Sequence, residues 1–93
     1  MTHAEWSRAL AILKHVVREP GALPQRSVAL LRVSVIPQIE AAIAMLGDGL
    51  PPETLFRWNA FLPAAVAAAG PDPELVRAEH HLRSGLLALG ATP

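Results

Sequence analysis

PQRSVALLRVSVIPQIEAAIAMLG, residues 24–47, is apolar almost all the way round when wound as a helix. Between Val28 and Leu46 only Arg32, Ser34, Gln38 and Glu40 interrupt it, and Gly47 stands where a helix end favours glycine. The β-branched run Val33 to Ile36 touches a proline and sits inside the longer helical pattern, which argues against a strand. A helix apolar on every side is normally surrounded by others. The stretch therefore predicts a central helix over about 25–46 and an all-α fold. Pro37 has no amide proton, and its ring crowds the carbonyl four residues back, so a kink or break is expected there, with Ser34 able to cap a new start.

Outward from this helix, prolines and glycines mark three more helical segments. Residues 3–19 open with Thr2 and Glu5 at capping-box spacing and carry Trp6, Ala9, Leu10, Leu13, Val16 and Val17 on one face. Pro20-Gly21 ends them. Residues 52–69 begin at Pro51-Pro52 and place Leu55, Trp58, Phe61, Leu62, Ala65, Val66 and Ala69 inward, with a second proline kink at Pro63. Residues 73–89 follow a capping Asp72, carry a core stripe of Leu75, Ala78, Leu82, Leu86 and Leu89, and are expected to end at Gly90 before a short tail, Ala91 to Pro93. The expectation is one domain over residues 1–93: a small four-helix bundle-like fold with Pro-kinked second and third helices.

Composition narrows the function classes. Hydrophobic residues make up 52% of the 93, aromatic residues only 4%, so alanine and leucine must build the core. Mean hydropathy is +0.32 and formal net charge is zero, which excludes whole-chain disorder. Eight basic and eight acidic residues are interspersed, giving no basic surface for nucleic acid or anionic lipid. There is no cysteine, hence no disulfide staple or thiolate metal site. Lys14 and His15 interrupt the first apolar stretch as a signal peptide would not, and the longest uncharged run, Trp58 to Pro71, is too short to span a bilayer. A cytoplasmic protein with no membrane partner is the expectation.

Chemistry-bearing residues are sparse. His80 and His81 are adjacent and point about 100° apart on a helix, so they cannot grip one ion together. His15 and Glu19 have chelate spacing but no further ligand, and no cofactor or metal is expected. No nucleophile elbow or phosphate loop is present, which points away from an enzyme. A small enzyme or metalloprotein remains open only if the fold gathers His15, Glu19, His80 or His81. A helix-turn-helix reading across residues 41–58 offers Thr54, Arg57 and Asn59 as duplex contacts, but with one basic residue. Phe56 and Ala60 in the third segment, and Val76, His80 and Leu87 in the fourth, lie off the core stripes and are candidates for a partner surface. The leading expectation is a non-catalytic helical protein–protein interaction module, an adaptor, accessory subunit, chaperone or regulator, that self-associates or binds a protein partner.

Overall fold

The computed structural model describes residues 2–49 and 51–89, with Pro52 described through its backbone alone. Every regular element among them is helical: α1 (Thr2–Arg18), α2 (Gln25–Gly47), α3 (Pro52–Asn59), α4 (Leu62–Ala68) and α5 (Pro73–Ala88). These are the four expected helical segments, the third divided into two short helices. The expected stop at Gly90 and the tail after it lie outside the described residues.

The two prolines act differently. Pro63 would crowd the carbonyl of Asn59, four residues back, and α3 stops at Asn59. Ala60 and Phe61 make a turn, and Pro63 enters α4 in its first turn, where a missing N–H costs nothing. Around Pro37 the backbone stays helical instead. Residues Leu31–Val35 form a π turn, in which the Ile36 N–H donates to the Leu31 carbonyl five residues back. Ser34 does not cap a new start; its Oγ accepts from Gln38 Nε2 at 2.8 Å.

Local signals at the chain's other helix ends are mixed. Asp72 caps α5, its Oδ1 accepting the Glu74 N–H at 2.8 Å. Gly21 holds the turn after α1 at φ 58°, a conformation that costs glycine little. The capping box expected from Thr2 and Glu5 is not made. Both side chains turn to α5 instead: Thr2 Oγ1 donates to the Gly85 carbonyl at 2.9 Å, and Glu5 Oε2 meets His81 Nδ1 at 2.7 Å.

α1, α2, α4 and α5 stand in a ring, each packed on two others: α1 on α5 and α2, α4 on α5 and the π turn of α2. α3 rests on the second half of α2. Inside, one cluster joins Trp6, Leu13, Leu31, Ile39, Leu75 and Leu82 with Leu55, Leu62 and their neighbours. The radius of gyration is 12.5 Å, close to the roughly 12 Å of a well-packed chain this long.

The α1–α5 seam is the tightest. Trp6 is buried and its Nε1 donates to the Leu82 carbonyl at 3.3 Å. Gly85 lies against that indole; a Cβ there would fall 2.5 Å from Nε1. The core stripes expected for α1 and α5 are buried except at Leu10, Val17 and Leu89, which are half-buried, and one expectation for the third segment fails. Trp58 and Phe61, placed inward by periodicity, are 38% and 49% exposed. The inward line of α3 is Leu55 and Asn59, four apart, and the break after Asn59 turns Phe61 outward.

Candidate interaction surface

α2 is central by composition yet half uncovered. Val28, Leu31, Val35, Ile39 and Ala42 form its buried line. On the opposite side Leu30, Val33, Pro37 and Ala44 are exposed and Ala41 is half-buried. Their spacing of three and four residues puts them on one stripe. Val33 is 74% exposed and Leu30 45%. The uncovered line is as regular as the buried one.

Charge is sparse along this stripe, with Glu40 at its edge, three residues from Pro37 and four from Ala44. Arg32 turns away, its Nη2 donating to the Val17 carbonyl at 3.2 Å, and Glu40 pairs with Lys14 Nζ at 3.1 Å. Both contacts tie α2 to α1. Arg26 at the start of the stripe and Asp48 just past its end are exposed, and neither has an ion-pair partner among the described residues. The N-terminus of α2 receives no side-chain cap, since Pro24 occupies that position.

Gln25–Gly47 is also, among the described residues, the one helix long and apolar enough to cross a membrane by length and composition. Counting uncharged runs passed over it, because Arg32 and Glu40 interrupt. One third of its most apolar window is buried in the bundle, less than in the core helix of a soluble protein, which is mostly buried.

The residues singled out as partner contacts fall in three settings. Val76, His80 and Leu87 are exposed on one face of α5, but Arg83 shares that face and pairs with Glu79 at 2.8 Å. Ala60 is exposed in the turn after α3. Phe56 is half-buried and packs on the core. Phe56 and Trp58 flank the Leu55–Asn59 line on either side, so periodicity alone cannot choose which is covered.

The duplex-contact set does not assemble. Thr54 and Arg57 are exposed, but Asn59 is 1% exposed and faces the core. Its Nδ2 donates to the Leu55 carbonyl at 3.0 Å, and its Oδ1 is buried with no hydrogen-bond partner among the described residues. Arg57 is left as the only basic side chain of α3.

The histidines are dispersed too. His15 meets Glu19 at 3.4 Å on an exposed face. His80 stands edge-on to His81, ring centroids 5.7 Å apart, while His81 turns to Glu5. A carboxylate only accepts, so Nδ1 of His81 carries the proton of that bond. This hydrogen bond, with the nearby positive charge, holds the Glu5 carboxyl below its ordinary pKa. Among the described residues no three His, Cys, Asp or Glu side chains converge as a metal site would require.

One open groove of about 420 Å³ lies where α1 gives way to α2, lined by Val17, Pro20, Leu23, Val28 and Arg32 among others. Its walls mix apolar side chains with Gln25 and Arg32, and Arg32 is already engaged with the Val17 carbonyl. No protein-family model, curated protein or solved structure matches the chain.

Proposed function

We propose that this chain is a non-catalytic protein–protein interaction module whose docking surface is the outward face of α2. One observation carries the reading: the regular outward stripe of exposed Leu30, Val33, Pro37 and Ala44, with Ala41 half-buried among them, on a helix whose other side builds the core. Scattered exposed apolar residues are ordinary, whereas a contiguous apolar line on a helix marks a partner site. The stripe supplies anchors at helix-in-groove spacing, and the bundle behind it holds them rigid. The candidates on α5 support the reading less well, because ion-paired side chains are interleaved with them.

The test is a photo-crosslinking amino acid placed at Val33 in cells expressing the chain, with Arg77 of α5 as the control position. Discrete covalent adducts from Val33 and none from Arg77 are expected. Adduct patterns indistinguishable between the two positions would overturn the assignment of α2 as the docking face.

A further inference from the structure

We propose that the partner is a second copy of this chain: two α2 helices pair antiparallel, Pro37 against the partner's Pro37 and Arg26 against the partner's Asp48. This rests on α2's outward face being the docking surface, and adds what occupies it and in which direction.

The stripe is complementary to itself when turned end for end. With Pro37 on the two-fold axis, Leu30 falls opposite the partner's Ala44 and Val33 opposite the partner's Ala41. On either side of the Pro37 pair, large side chains then meet small ones, as interdigitating helices require. A parallel pair would instead set Leu30 on Leu30 and Ala44 on Ala44, crowding one end and leaving a gap at the other.

Charge selects the same direction. Arg26 and Asp48 lie 22 residues apart, about 33 Å along a helix. Antiparallel pairing brings each against its opposite twice, at the two ends of the interface. Parallel pairing brings arginine to arginine and aspartate to aspartate. Asp48 also sits at the negative end of its own helix dipole, where a carboxylate is disfavoured. In the antiparallel pair it reaches the partner's α2 N-terminus, which receives no side-chain cap from its own chain. The formal net charge of zero leaves little long-range repulsion between copies.

A bilayer suits the stripe less well. Lys14–Glu40 and Arg32–Val17 tie α2 into the bundle, and charges of opposite sign end the stripe where a membrane-surface helix carries a basic collar. A single helix pair buries less than the roughly 800 Å² per partner of a standard interface, so a weak dimer is expected.

The chain has no cysteine, so single introduced cysteines read the register directly. In the antiparallel pair, Pro37→Cys meets its own copy and oxidises to a covalent dimer of twice 9.9 kDa. Leu30→Cys stands about 21 Å from its own copy and stays monomeric alone, but links to Ala44→Cys when the two variants are mixed. Sedimentation equilibrium from micromolar to millimolar should show a reversible dimer. Arg26→Asp or Asp48→Arg alone should weaken it about three- to tenfold, and the two together should restore it. Equal linking at Leu30 and Pro37 would overturn the antiparallel register. A monomer at every concentration would overturn self-pairing, with or without binding to lipid vesicles. If Val33 still gave adducts of other masses in cells, the docking face would stand with a different partner.

Discussion

Gly85 sits where α1 and α5 come closest, and its missing side chain makes room for the Trp6 indole. Helix propensity alone favours Gly85→Ala by about 1 kcal/mol. The added methyl would fall 2.5 Å from Nε1 of an indole held by the Leu82 carbonyl, and overpacking of this kind costs about 1–3 kcal/mol. We therefore expect Gly85→Ala to lower the urea midpoint; a raised midpoint would show that the seam has slack. On the same seam, the Glu5 carboxyl is held below its ordinary value in the folded protein by the His81 hydrogen bond. A depressed carboxyl binds its proton less readily folded than unfolded. Its contribution to stability is thus present above the ordinary carboxylate range and lost as pH falls through that range. Glu5→Gln removes this contribution, so the gap between wild-type and variant urea midpoints should narrow from neutral pH toward about pH 3. An unchanged gap would separate the His81 bond from stability. Neither residue's role was legible in sequence. The spacing of Thr2 and Glu5 fits a capping box, and only the arrival of α5 gives both side chains other partners.

At the scale of the element, α2 carries two opposed lines of apolar residues, and two valines separate them. Val35 is 1% exposed and Val33 is 74% exposed. Val35→Asp buries an unpaired charge and should leave the chain unfolded or molten. Val33→Asp should fold with a stability within about 0.5 kcal/mol of wild type. Thermal melts followed by circular dichroism check both; similar losses would mean that Val33 is covered within the chain. The uncovered line is foreshadowed by composition, since a helix apolar all round exceeds what a few neighbours can cover. Which residues lie outside needs the neighbours themselves. The same holds for the prolines, read alike from sequence. Pro37 lies between Val35, Ile36 and Ile39, all buried, and a π turn carries the helix through. At Pro63 the helix ends instead, because α3 rests on α2 whereas α4 belongs against α5.

For the whole molecule, helix period and Asp72 made the all-helical fold legible, because both are local signals. Choice of neighbours is not local, which is why helix period alone does not tell that Phe56 packs on the core while the outer line of α2 stays exposed. The ring also joins helices far apart in the chain: Thr2 reaches Gly85, and Trp6 reaches Leu82. That seam has a temporal consequence. A growing chain presents α1 before α5, so the indole of Trp6 lacks its Leu82 and Gly85 contacts until those residues have been made. Until then its apolar face is open to chaperones or to other nascent chains. Closure of the ring is thus a late, long-range event whose rate carries the entropy of bringing distant segments together. Burial of Trp6 is tied to the arrival of α5.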